Sequence, residues 1–199
     1  IAQMRTRRER SVTGNGHSLA MAAASAGFSS LAQHQHLVNG LAGLPIMKQL
    51  DRTLDDAAAL SRFAQQLQQL HQKMQQQSAQ LLLVAEQERD ANCTAHLQQL
   101  WRSNPSTHNA PFELPFAPQR VQKLWQTSTQ VNFCARAWPT VAVNHLDAAA
   151  LSVLGGYLRN GFLHRAIREQ GGAYGGGASQ DSTLGAFRLY SYRDPRLSD

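Results

Sequence analysis

Between 55 and about 77 the apolar residues Leu60, Phe63, Leu67, Leu70 and Met74 step by three and four, and the remaining positions are mostly glutamine. That spacing puts the five on one stripe of a helix. The stripe suits a surface helix laid on a sheet of the same chain. It also suits a short coiled-coil seam, although only about two heptads are present and flanking charge pairs are lacking. Upstream, residues 1 to about 32 read as helix, with Ser11 or Thr13 available to cap a new start. The run from Leu19 to Ala26 is rich in Ala, Met and Leu, strong helix formers, and its small side chains favour close packing against another helix. Asn39-Gly40 and Gly43-Leu44-Pro45 mark turns, with a short helix expected over 45–50. Downstream, the four apolar residues Leu81 to Val84 predict a buried strand over 78–85, and helical spacing returns over 86–101.

From 102 to 120 the pattern fails. Pro105, Pro111, Pro115 and Pro118 prevent regular structure, which marks a linker. Phe112, Leu114 and Phe116 alternate with other residues, as expected of a linker lying against a surface. A strand is expected over 131–143, with Val131, Phe133, Ala135 and Ala137 on one face. A helix beginning at His145 or Asp147 runs to about 168. Asp181-Ser182 falls in a turn, and a strand over 186–192 ends at Asp194-Pro195. These elements predict an α+β chain made of two partial units, helices packed on a mainly antiparallel sheet. Residues 1–102 are expected to close one domain, 103–120 to link, and 121–199 to begin the next.

Charge adds little to this picture. The 199 residues carry a formal charge of +6, which invites a nucleic-acid reading. Several of the basic groups crowd into Arg5, Arg7, Arg8 and Arg10, and aromatics are only 7% and do not interleave with them, so no stacking platform is indicated. A solvated helix end accounts for the cluster better, and no nucleic-acid partner is expected. No apolar run reaches the length needed to span a membrane. Cys93 and Cys134 match no metal or redox spacing and read as buried, reduced thiols. The chain begins at Ile1, as a fragment or processed product would.

The distinctive stretch is 158–179, LRNGFLHRAIREQGGAYGGGAS. A helix-forming run ends in Arg168-Glu169-Gln170, and five of the next seven residues are glycine. Such a segment either caps a helix and enters a Gly-rich strand with Tyr174 merely packing, or brings backbone very close to another molecule. In the second case Arg168 and Tyr174 can aim a guanidinium and a hydroxyl at one oxygen. The backbone of Gly171, Gly172, Ala173 and Gly175 would then offer a sheet edge to an extended peptide.

Two long motifs in this order, HRAIREQGGAYGGGAS and then FRLYSYRDPRL at 187–197, resemble the C-terminal half of the pitrilysin/insulinase metallopeptidases, in particular their presequence protease-like branch. HSLAMAAASAGFSSLAQHQHLVNGLAGL and SAQLLLVAE resemble it too, less specifically. The resemblance implies an α+β fold of the pitrilysin/insulinase type and a full-length zinc endopeptidase that degrades unstructured peptides in an enclosed chamber. It implies that the zinc motif lies in an N-terminal half of the same protein and that the C-terminal half is a degenerate copy closing over the substrate. Arg168 and Tyr174 match, by type and spacing, an Arg and a Tyr that hydrogen-bond the scissile carbonyl in that family. Gln170 stands where related sequences often carry Lys. The expected partners are a peptide and that N-terminal half, the expected state is a monomer, and the compartment expected is cytoplasm or an organellar matrix. The rival within the family is an inactive scaffold or peptide-binding subunit.

The family's inverted motif, His-x-x-Glu-His, is needed for two metal ligands and a base. None of the eight histidines stands at that spacing. His34 and His36, two apart, point to different faces of a helix. No metal is expected in this chain. The prediction is that these 199 residues, purified without chelator, hold no stoichiometric zinc and cleave no peptide; elemental analysis finding one tightly held zinc per chain would contradict it.

Overall fold

A computed structural model describes residues 1–76, 82–100 and 115–197, which fall into two compact units. The first comprises 1–52 with 114–199, and the second comprises 53–113.

The first unit is an α+β structure around a three-stranded antiparallel sheet of order β1-β3-β2. Its helices are α1 (Ala2–Gly14), α2 (Gly16–Ser25), α3 (Ser30–Asn39) and α4 (Gly43–Thr53). Then come β1 (Asn132–Pro139), α7 (Ala148–Leu158), α8 (Arg159–Gln170), β2 (Gly175–Asp181) and β3 (Ala186–Asp194). The single helix expected over 1–32 is instead broken at Asn15, whose backbone (φ −131, ψ 29) is not helical. Helix α3, which the apolar pattern did not predict, is capped by the Ser29 hydroxyl accepting from the Ala32 N–H at 3.1 Å. That bond satisfies one orphan donor of its first turn.

Helix α2 lies on β1 and β3, whereas α7 and α8 lie on β2. Close approach explains the small residues. A methyl on Gly16 would collide with the Phe133 ring, and one on Gly155 would meet the Ala178 carbonyl oxygen at 3.3 Å. The buried residues are likewise small, among them Ala23, Ala32, Ala148, Ala178 and Ala186. The helix expected from 145 to 168 breaks at Gly161 (φ −100, ψ −105), beyond which its turns are π-helical. The turn at 182–185 closes β2 onto β3. There the Asp181 carboxylate accepts from the Leu184 N–H at 3.1 Å, and Gly185 takes φ +62.

Ion pairs account for part of the basic cluster: Arg5 pairs with Asp51 at 2.7 Å, and Lys48 reaches Glu9 at 3.1 Å, tying α1 to α4. The extended segment after 114 is held by the Gln119 N–H donating to the Gly27 carbonyl at 3.1 Å and by Trp125 edge-on to His36. No helix among the described residues is long and apolar enough to cross a membrane.

The second unit holds α5 (Ala57–Gln75) and α6 (Gln87–Leu100). The α5 stripe forms at the expected spacing, with Asp56 capping the helix through the Ala59 N–H at 2.8 Å. Its residues do not face inward, however: Leu60, Leu67, Leu70 and Met74 are all exposed. The buried strand expected over 78–85 is also corrected. Residues 82–86 are irregular, and Leu82 and Val84 are 86% and 87% exposed. An apolar run becomes a buried strand only when another strand pairs with it, and the described residues of this unit include none. Leu81 and 103–114 of the proline-rich stretch lie outside the described residues. Cys93 and Cys134 are unbonded and half-buried, not buried.

The Gly16–Phe133 contact yields a prediction. Gly16→Ala overpacks the α2–sheet junction and costs about 1–3 kcal/mol of stability. Urea denaturation should show this, and Phe133→Leu in the same chain should recover part of it.

Candidate functional site

Arg168 stands in the last turn of α8. Gly172, at φ +76, turns the chain where a side chain would be strained. The Gly172 N–H donates to the Arg168 carbonyl at 3.2 Å, and the Ala173 N–H to the Ile167 carbonyl at 3.1 Å. These bonds close the helix end. Burial alternates from here: Gly171 and Ala173 are buried, while Gly172 and Tyr174 face out. Gly171 has no room for a side chain, since a methyl there would strike the Arg196 guanidinium. Of the four residues expected to meet a peptide, Gly171 and Ala173 are thus placed inward, and Gly172 and Gly175 are accessible. Gly175 opens β2, which in the described sheet pairs on one side only, with β3.

The turn brings Arg168 and Tyr174 together. The guanidinium carbon of Arg168 lies 5.8 Å from the centre of the Tyr174 ring, and Tyr174 is 63% exposed. This is cation–π range. Tyr174 is not a packed core residue, but neither is it loose. Its N–H donates to the Arg193 carbonyl at 3.3 Å, and its ring meets Tyr192 edge-on at 5.6 Å. Behind Tyr192 stand His17 at 4.8 Å, edge-on, and Phe133 at 5.7 Å. A continuous set of rings therefore runs from α2 through the sheet to Tyr174. Reading the sequence missed Tyr192 and His17; the two-residue spacing of Tyr190 and Tyr192 in a strand was the available signal, since it places both on one face.

An open apolar groove lined by Thr140, Val141, Asp147, Ala150, Leu151 and Leu154 includes neither Arg168 nor Tyr174. Among the described residues no group of three His, Cys, Asp or Glu side chains is placed to hold a metal. These residues do not fit zinc, and no zinc chemistry is assigned to them.

Helices on an antiparallel sheet, with a Gly-rich edge strand and no metal cluster among the described residues, define a peptidase-fold domain without its metal centre. The chain belongs to the M16 peptidase family: residues 62–199 match the model described as the Peptidase M16 inactive domain, and residues 1–50 match the model of a domain associated with the C subgroup of the same peptidases. It is similar to the mitochondrial presequence protease of Yarrowia lipolytica, 34% identical over 196 residues, covering 92% of this chain and 19% of that protein. It is similar also to that of Kluyveromyces lactis, 32% identical over 197 residues, covering 93% of this chain and 20% of that protein. The Saccharomyces cerevisiae presequence protease is 48% identical over 67 residues, 34% of this chain and 7% of that protein. The chain thus spans about a fifth of the length of the first two relatives.

Two histidines give the unit a pH dependence. Burial holds His17 below the usual histidine range, and burial followed by the Lys123 charge does the same for His36, which is 4% exposed. The unfolded chain therefore takes up protons at these positions at higher pH than the folded one. Their contribution to stability is complete above about pH 6.5 and is lost as the pH falls below it. Urea denaturation between pH 7.5 and 5 should show the decline, and His36→Phe should make it shallower.

Proposed function

We propose that this chain is the C-terminal, non-metal part of a zinc metalloendopeptidase that degrades unstructured peptides in an enclosed chamber, with Arg168 and Tyr174 as the residues that meet the scissile carbonyl. The observation that carries this reading is the juxtaposition of an exposed phenol and a guanidinium at the entry to a glycine-rich edge strand. Family membership, and the likeness to mitochondrial presequence proteases, support the reaction class and an organellar compartment. The remaining partner is the N-terminal half of the same protein, which would supply the metal.

The chemistry follows from charge. As the amide carbon becomes tetrahedral, negative charge gathers on its oxygen. A phenol and a guanidinium held in place donate hydrogen bonds to that charge without reorganising. Loss of one such donor typically costs about 100- to 1,000-fold in rate. An extended substrate would add its backbone beside β2 near Gly172 and Gly175, where no side chain blocks approach. In this reading the two side chains bind the transition state better than the substrate.

In the intact protein, Tyr174→Phe removes one hydroxyl and keeps the ring. The expected result is a loss in kcat of roughly 100-fold or more with a far smaller change in KM. Arg168→Lys is expected not to substitute for arginine, because an ammonium lacks the planar fork. Steady-state kinetics on a fluorogenic peptide decides. Activity of the Phe variant within about threefold of the parent, a barrier change well under 1 kcal/mol, leaves the pair as architecture. A parent that binds peptide and cleaves none points to the scaffold instead.

A further inference from the structure

The ladder between β1 and β3 slips at one point. Asn132 pairs with Asp194 and Phe133 with Tyr192, so Arg193 is passed over. Arg193 also has φ +49, the one non-glycine residue with positive φ among those described. It is a bulged residue in a left-handed conformation that side chains disfavour. Bulges of this kind bend a strand and re-aim a side chain, and they gather beside functional sites.

The re-aimed side chain reaches Tyr174. The Arg193 guanidinium carbon lies 6.0 Å from the centre of the Tyr174 ring and 5.5 Å from that of Tyr192. The same residue's carbonyl accepts the Tyr174 N–H at 3.3 Å. Arg193 therefore holds Tyr174 twice, once by its backbone and once by its ring face, and braces it against Tyr192. Arg168 stands over the same ring at 5.8 Å. The phenol is exposed, and it has no packed pocket to fix its direction. Two guanidiniums and one neighbouring ring fix it instead.

We propose that Arg193 is a positioning residue for Tyr174: its bulge exists to set the direction of the phenol. The inference rests on the reading of Arg168 and Tyr174 given above, and it adds a residue whose action passes through the tyrosine hydroxyl. Displacing a catalytic group by a fraction of its reach lowers the rate of the chemical step more than substrate binding.

The test separates backbone from side chain. Arg193→Gly keeps the bulge, because glycine is at ease at positive φ, and keeps the carbonyl that receives Tyr174, but deletes the guanidinium. Arg193→Asn, which also tolerates that backbone, is the second variant. Each is made in the intact protein, alone and with Tyr174→Phe, and assayed on a fluorogenic peptide alongside thermal unfolding. The expected result for both is a kcat lowered about tenfold, a KM within about twofold, and an unfolding temperature unchanged or raised. Combined with Tyr174→Phe, neither variant lowers kcat further, since the hydroxyl it positions is gone. If Tyr174→Phe is impaired but Arg193→Gly and Arg193→Asn keep full activity, the role of Arg193 is refuted and that of Tyr174 stands. A loss carried by KM, or one that persists in full beside Tyr174→Phe, also refutes it, since Arg193 would then act on its own. A parent without peptidase activity, or a fully active Tyr174→Phe, overturns the reading of the whole site and this role with it.

Discussion

Strand β3 is hydrogen-bonded on both edges, to β1 along Ala186–Asp194 and to β2 along Ala186–Tyr192, and the unit's order depends on this double ladder. Strand β2 begins with three consecutive glycines, which have poor strand propensity and lose more entropy on ordering than other residues. Such a sequence holds a strand only because a well-formed neighbour presents a complete row of donors and acceptors. Strand β3 is that neighbour: its Phe187, Leu189, Tyr190 and Tyr192 are the aromatic and branched types that strands favour. It also brings Tyr192 and Arg193 to Tyr174. The same strand therefore orders the glycines and furnishes the surroundings of the phenol.

The helices reach this sheet by removing side chains. Gly16 admits the Phe133 ring, Gly155 admits the β2 backbone, and the buried positions around them are mostly alanine. Close packing of small residues gains less from the removal of apolar area than large side chains would, and more from dispersion between well-fitted surfaces. The cost of such a design is intolerance: each added methyl has nowhere to go.

Local periodicity made much of this legible, and long-range pairing made the rest illegible. The 3.6-residue spacing of Leu60 to Met74 specified α5, and alternation specified β1 and β3, because both signals lie within one element. The interruptions at Asn15 and Gly161, and the extra residue at Arg193, leave no trace in hydrophobicity. Neither does the packing of α2 on strands that begin more than a hundred residues later. Composition marks 103–120 as a linker, whereas contacts group 1–52 with 114–199. A proline count reports where regular structure stops, not which segments meet again afterwards. Arg168 and Tyr174 drew notice through residue type and spacing. The rings behind Tyr174 did not, since His17 and Tyr192 come from distant parts of the chain. The α5 stripe shows the opposite limit: its spacing was right and its burial was not, because a pattern specifies a face and not what covers it.

The second glycine of β2 has a bearing on the guanidinium of Arg168. A methyl group at Gly176 would come within 2.7 Å of both the Cδ1 and Cγ2 atoms of Ile167. The bare backbone there works as a spacer gauge between strand and helix. Arg168 is the residue next to Ile167, so whatever thickens the strand lifts the arginine with the helix. Variation at a buried, chemically silent position would therefore surface as altered charge placement on the outside of the protein, two elements away in the chain yet one van der Waals contact away in space.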